Sequence, residues 1–312
     1  MEETYYEMDL PRENIHLRCF AHSIMNYRYH WHPDEYELSI VLKGNQEYCR
    51  GTETHSLFED DLILTAPGNG HASMRQQPDT RALVLHFPSN ALKLLVKKGY
   101  IYQFPTCLSN ENTRYEERFC RIRFYASQIW QSLECGGTYA QLSAKVNLEL
   151  LLITLFTEFD PQQINLISEE DKRRATIRLL LSYVEEHYAE KLSLEDLADY
   201  TQYNRTYVST LFKQMVGINF HEYLTRVRFQ HALNDLTYTR DNLTDIALKN
   251  GFPDLKTLTA RFRSTFQRTP AQYRAALKPD EVLYDKVRQF LDPQDMVLRK
   301  KLGEYAKTGI IK

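Results

Sequence analysis

The sequence predicts two domains: an N-terminal β domain followed by a helical hairpin, and a C-terminal all-α domain with two helix-turn-helix motifs. Three observations predict this. Residues 15–88 break into short apolar runs between turn signals. From Thr113 the apolar spacing lengthens to that of a helix. Leu192–Leu224 and Asn242–Arg274 then carry the same helical signature twice.

In the first half, LSIVLKGN, EYCRG, HSLFEDD, LILTAPGNG and RALVLHFPS read as strands, with tight turns at Gly44-Asn45, Pro67-Gly68 and Asn69-Gly70. Short strands at this spacing suggest a small barrel or sandwich. Tyr115–Leu133 and Tyr139–Phe159 have helical spacing without internal Gly or Pro, and Gly136-Gly137 separates them. That predicts an antiparallel helical hairpin. Its second helix is rich in leucine (Leu148, Leu150, Leu151, Leu152, Leu155). One face should pack on the β domain, and the surplus suits either core or a dimer face.

Asp160–Asp171 is polar, contains Pro161 and reads as a linker. The expected organisation is therefore 1–160 for the first domain, 161–174 for the linker, 175–278 for the helical domain and 279–312 for a C-terminal extension. The extension has two amphipathic segments, Val282–Leu291 and Asp295–Tyr305, broken at Pro293. A docked or loosely helical tail is expected there, with no functional reading.

An apolar fraction of 43 % and a charged fraction of 26 % are those of a soluble globular protein. No uninterrupted apolar run is long enough to span a bilayer, and the acidic start MEETYYEMDL lacks the apolar core of a signal peptide. No membrane partner and a cytoplasmic location are expected. The five cysteines are odd in number and never in a CxxC, which argues against a disulfide framework and a zinc ribbon. Charge is unevenly divided. Residues 1–171 hold 15 Lys and Arg against 24 Asp and Glu, whereas 172–278 hold 17 against 11. The basic half alone suits a polyanion.

In the repeat, Leu194, Leu197 and Ala198 correspond to Leu243, Ile246 and Ala247. Phe212, Lys213 and Tyr223 correspond to Phe262, Arg263 and Tyr273, with eleven residues from Phe to Tyr in both copies. Ser193, with Asp196 in the reciprocal position, fits an N-cap. Asn204 and Asp254 can cap the second helix of each unit, Gly217 can end the first of these helices, and Pro270 suits the first turn of a last short helix. Leu211, Phe212, Phe262 and Phe266 are core candidates.

The set SLEDLA, YxxxLFKQMxG, FHEYL, TDIALKNGF, RFRxxF and TPAQYR resembles the DNA-binding domain of AraC-type transcription regulators, from about Thr176 to Ala276. The resemblance implies a seven-helix domain that lays Arg205–Val216 and Asp254–Phe266 in successive major-groove faces of double-stranded DNA. It places base-reading positions at Thr206, Ser209 and Thr210, and at Leu255, Lys256, Thr257 and Ala260. Most are short side chains, so the target sequence stays open; Lys256 is placed to contact guanine. Arg205, Lys213, Arg261 and Arg263 suit phosphates.

In the acidic half, His30-Trp-His32-x4-Glu37-x6-Gly44 matches the first cupin motif. Asp61-x5-Pro67-Gly-Asn-Gly-His71 resembles the second, with Asp61 in place of the usual Gly. The expected N-terminal domain is thus a cupin-like barrel. His30 and His32 share a strand face. With Glu37 and His71 they form a set suited to a divalent transition metal. The same residues, joined by Tyr29, Tyr36, Tyr48 and His86 as possible liners, suit a small-molecule effector such as a sugar. No cofactor is required by this reading. The function expected is a ligand-responsive, homodimeric transcription regulator rather than an enzyme, with RNA polymerase as a partner if it activates. A metal-dependent cupin sensor or enzyme and a ligand-independent DNA-binding regulator are the alternatives.

Overall fold

β3 (Glu35–Lys43) is buried along almost its whole length, as a strand with neighbours on both edges and covered faces should be. A computed structural model describes residues 6–10, 15–23, 30, 32, 34–50, 53–77, 79–92, 100–137, 139–165, 170–266, 268–275 and 289–308. The N-terminal strands are β1 (Tyr6–Leu10), β2 (Ile15–Ser23), β3, β4 (Asn45–Arg50), β5 (Glu53–Phe58), β6 (Leu62–Thr65), β7 (His71–Arg75) and β8 (Arg81–Pro88). One antiparallel sheet runs β1-β2-β8-β3-β6 and a second runs β5-β4-β7. Side chains join the two. Val41, Tyr48, Leu57 and Ile63 form a shared cluster, and the Tyr48 hydroxyl lies 3.0 Å from Thr65 Oγ1 on β6. Gly44, at φ +77°, makes the turn between β3 and β4, and a Cβ there would meet Thr80 Oγ1 at 2.8 Å.

The expected hairpin is present as α1 (Glu117–Cys135) and α2 (Ala140–Glu158), with Gly136 and Gly137 both at positive φ between them. α2 divides its leucines by face. Leu148, Leu151, Leu152 and Leu155 are buried in the N-terminal core, while Leu142, Val146, Leu150 and Ile153 are exposed. The stretch read as a linker opens with a strand. β10 (Gln162–Asn165) pairs antiparallel with β9 (Tyr100–Gln103), and helix resumes at Glu170.

Seven helices follow among the described residues: α3 (Glu170–His187), α4 (Leu194–Thr201), α5 (Arg205–Val216), α6 (Phe220–Tyr238), α7 (Leu243–Lys249), α8 (Leu255–Phe266) and α9 (Pro270–Ala275). Their ends are set by the expected caps. Ser193 and Asp196 form a reciprocal capping box. Asn204 Oδ1 accepts from Tyr207 N at 2.8 Å, and Asp254 Oδ1 from Thr257 N at 2.7 Å. Gly217 ends α5 in the left-handed region. Phe212, Phe262, Phe266, Leu211 and Tyr273 are buried in the core of this domain.

The tail is ordered where it is described. Of the segment Val282–Leu291, residues 282–288 lie outside the described residues, while Gln289–Phe290 form β11 on β2, a strand and not a helix. The partner's free backbone edge supplies hydrogen bonds that outweigh helical periodicity there. The second segment is a helix, α10 (Met296–Thr308).

Candidate ligand site and nucleic-acid interface

Glu37 stands where the two sheets meet. On β3 its cross-strand partners are His86 of β8 and Thr65 of β6. His71 begins β7 in the other sheet, and His30 bridges to it through two backbone bonds: His30 N donates to His71 O at 2.9 Å, and His71 N to His30 O at 2.8 Å. His32 is fixed by its carbonyl, which accepts from Gly68 N at 2.7 Å. Four imidazoles therefore converge on one carboxylate oxygen. The Nε2 atoms of His71, His32, His86 and His30 lie 3.1, 3.2, 3.3 and 3.8 Å from Glu37 Oε2. Tyr48 donates to the other oxygen at 3.3 Å.

Glu35 lies two residues from Glu37 on the same strand, so it points to the same face. It faces His86 Nδ1 at 3.5 Å and His32 Nδ1 at 3.7 Å, and pairs with Arg18 of β2. Sequence reading missed Glu35 and Arg18; the alternation of Glu35 with Glu37 was the available signal. Tyr36 is corrected by the same alternation. It is fully buried on the opposite face of β3, stacks on Phe87 and donates to Tyr102 O at 2.5 Å, so it does not line the site. Tyr48 and His86 do face Glu37. Tyr29 lies outside the described residues.

Burial and neighbouring charge pull these groups in different directions. Burial pushes His71 down to about 4 and also lowers His32, so both rings favour the neutral form. Burial opposes ionisation of Glu37, but His71, His30 and His32 outweigh it and hold the carboxyl well below its ordinary value. Burial likewise works against Glu35, yet His86 and Arg18 bring it to about 2. For His86 burial acts downward, and the neighbouring carboxylates of Glu35 and Glu37 reverse that and raise it. One ligand atom from each of His30, His32, Glu37 and His71 lies within 4.8 Å of all the others, and His32, Glu35 and His86 form a second such group. His71 Nε2 and both ring nitrogens of His86 are buried without a well-aligned hydrogen bond, although a carboxylate is near each.

In the helical domain, α5 exposes Arg205, Thr206, Ser209, Thr210 and Lys213. α8 exposes Lys256, Thr257, Ala260 and Arg263. Two expected contacts are less free. Leu255 is half-buried and packs against the helical core. Arg261 is half-buried and donates to Glu222 Oε1 at 3.0 Å.

The two domains also meet, which the sequence did not announce. On β4 Glu47 alternates with Tyr48 and faces α6. Arg226 Nη1 donates to Glu47 Oε1 at 2.6 Å, and Arg226 Nε to Glu222 Oε1 at 2.6 Å. Arg75 of β7 bonds the Tyr273 hydroxyl, and Cys49, Ala72 and Met74 share the apolar cluster of the helical domain.

Residues 14–121 match the AraC-like ligand binding domain, and residues 197–276 match a helix-turn-helix domain. An uncharacterized HTH-type transcriptional regulator of Staphylococcus aureus strain COL is 38 % identical over 98 residues, which are 31 % of this chain and 13 % of that protein. The HTH-type transcriptional activator RhaS of Enterobacter sp. strain 638 is 27 % identical over 154 residues, 49 % of this chain and 53 % of RhaS. The chain thus spans a small part of the first relative and about half of the second. Among solved structures, ToxT from Vibrio cholerae O395 is similar over 84 % of this chain and 98 % of its own, with 12 % identity and a TM-score of 0.40. Among the described residues no helix is long and apolar enough to cross a membrane. With an AraC-like ligand binding domain ahead of a duplicated helix-turn-helix domain, this chain belongs to the AraC-type family.

Proposed function

We propose that this protein is a sequence-specific DNA-binding transcription regulator whose N-terminal domain takes a small ligand at the Glu37 cluster. The pair of capped helices α5 and α8, each with its outer face exposed in a basic domain, carries the DNA half of this reading. Two such helices suit major-groove faces about one turn, or ~10 bp, apart.

The donor chemistry supports a divalent transition metal in the N-terminal site, as the ligand itself or as its anchor. Three or four imidazoles with a carboxylate are a zinc- or nickel-type set. His71 Nε2 and the two ring nitrogens of His86 sit against buried carboxylates without a well-aligned hydrogen bond, and polar atoms so poorly satisfied cost up to about 1–3 kcal/mol each. A bound cation would use His71 directly. A sugar held by hydrogen bonds would use the same side chains and is the competing ligand. Homodimer formation is supported by α2, whose exposed Leu142, Val146, Leu150 and Ile153 recur every three or four residues and form one apolar stripe.

Two measurements test this. Purified protein is soaked in excess zinc or nickel, desalted and assayed for bound metal; one equivalent retained by the wild type and lost in His71→Ala is expected. No retained metal, together with a thermal shift on adding a sugar, transfers the site to the sugar. For DNA, selection from a random duplex library should enrich one motif, and its affinity should fall steeply with salt. An unenriched pool would overturn the regulator reading.

A further inference from the structure

After α9 the next described residues, 289–308, lie on the N-terminal domain. β11 returns to the N-terminal domain, with Gln289 opposite Ser23 and Phe290 opposite His22 of β2. α10 then packs along α1, and its Leu298, Leu302 and Tyr305 are buried in the N-terminal core. Specific polar links hold this segment down. Lys301 Nζ lies 2.9 Å from Asp60 Oδ1 and 2.8 Å from Glu59 Oε1. Tyr305 donates to the same Asp60 oxygen at 2.7 Å. Arg81 pairs with Asp295, and Arg299 donates to Glu134 at 2.8 Å. Lifting α10 would take Lys301 and Tyr305 from Asp60 and expose the apolar side chains of Leu298 and Leu302, and both losses oppose release.

The consequence is topological. The helical domain leaves the N-terminal domain after β10 and rejoins it at β11, so both of its ends are anchored on the same body. A domain tethered at two points samples fewer orientations than one on a single linker. The second anchor also reaches the ligand cluster through Phe20. Phe290 meets Phe20 edge-on at 5.3 Å, Phe20 stacks on His86 at 5.6 Å, and His86 Nε2 faces Glu37 at 3.3 Å.

We propose that residues 289–308 form a latch that fixes the orientation of the helical domain and carries the state of the Glu37 cluster to it. The first part stands on the docking alone; the second rests on the ligand reading given above. A ligand that repositions His86 shifts the seat of Phe20 and thereby that of Phe290. Coupling of this kind is reciprocal, so release of the latch also alters ligand affinity.

The test keeps the whole chain. A recognition sequence for a specific protease is placed within residues 280–286, and a dye is attached through Ser264→Cys in a Cys120→Ser, Cys135→Ser background. Cutting should leave the tail co-eluting with the remainder, while dye anisotropy drops as the helical domain gains freedom. A tail that dissociates, or an anisotropy unchanged by the cut, overturns the latch. The second readout is affinity for the DNA motif selected by the uncut protein, with and without zinc. Uncut protein should respond to zinc by about five-fold or more, whereas cut protein and uncut Phe290→Ala should lose that response. A zinc response that survives both changes overturns the coupling. Failure of the uncut protein to bind zinc sinks the metal reading instead, and the latch is then decided by anisotropy.

Discussion

The two helix-turn-helix units share a plan and differ in their wiring. Each places a left-handed residue at its turn, Gln202 in the first and Gly251 in the second. Each caps its second helix with a side-chain oxygen, Asn204 or Asp254. Around α5 the polar links stay within the helical domain: Arg205 pairs with Glu195 at 2.5 Å, and Gln214 with Arg173. Around α8 they leave it. Arg261 joins Glu222, Glu222 joins Arg226, and Arg226 joins Glu47 on the strand that also carries Tyr48. Tyr273, just after α8, accepts from Arg75. The two units thus have similar frames, and the second is the one tied to the sheet that carries Tyr48 and His71. A change in the N-terminal domain has a direct path to α8, through side chains on alternate faces of one strand.

The largest expected effect is at the second turn. Gly251 has φ +75°, and an added Cβ would lie 2.7 Å from Arg228 Nε and 2.9 Å from Tyr188 O. Gly251→Val should cost about 3 kcal/mol or more, from left-handed strain and from a clash that backbone cannot easily relieve. Thermal unfolding checks this; a loss below about 1 kcal/mol would show that the second turn tolerates a side chain as the first does.

Next comes the wiring itself. Arg226→Met leaves Glu47 and Glu222 without their shared partner, at an expected cost of about 1–3 kcal/mol because both acids are partly exposed. Arg205→Met, which breaks the exposed pair with Glu195, should change stability far less, within about 0.5 kcal/mol. Equal losses in the two variants by chemical denaturation would erase the distinction between the units.

Acid should separate the units as well. Burial acts to raise Glu222, but Arg226 and Arg261 outweigh it and hold the carboxyl below its ordinary value of 4.5. A lowered folded-state value means the network contributes fully above about pH 4.5 and loses its contribution as pH falls through that lower value. Wild type should lose more stability than Glu222→Gln between pH 5 and pH 3. Parallel losses would show that Glu222 is not what links α8 to α6 and β4.

Much of this was legible in the sequence for identifiable reasons. The caps Ser193, Asn204 and Asp254 act on backbone three residues away, so local sequence determines them. His30, His32, Glu37 and His71 were recoverable because their spacing resembles a known motif, and the structure brings all four together. Tyr36 misled because strand parity, which decides its face, could not be assigned without the register of β3. Arg226–Glu47 and Lys301–Asp60 are separated in sequence by 179 and 241 residues. Nothing local encodes such pairs: Arg226 and Lys301 look like any other basic residues on a helix, and Glu47 and Asp60 like ordinary strand and turn acids. A docked tail was among the expectations, but its seat was not legible for the same reason: the periodicity of 295–305 predicts a helix but does not say which surface buries its apolar side.

The smallest prediction returns to the turns. Gln202 adopts φ +57°, a conformation that costs a non-glycine residue about 1 kcal/mol. Gln202→Gly removes that strain, but it also enlarges the unfolded ensemble by a similar amount and deletes the bond from Gln202 Nε2 to Asp199 O at 2.6 Å. The terms nearly cancel, so a change within about 0.5 kcal/mol is expected in thermal unfolding. A gain well above that would mean the first turn is held under strain by its surroundings, as the second would be if it carried a side chain. The two units would then differ in composition at this position but not in the constraint their packing imposes.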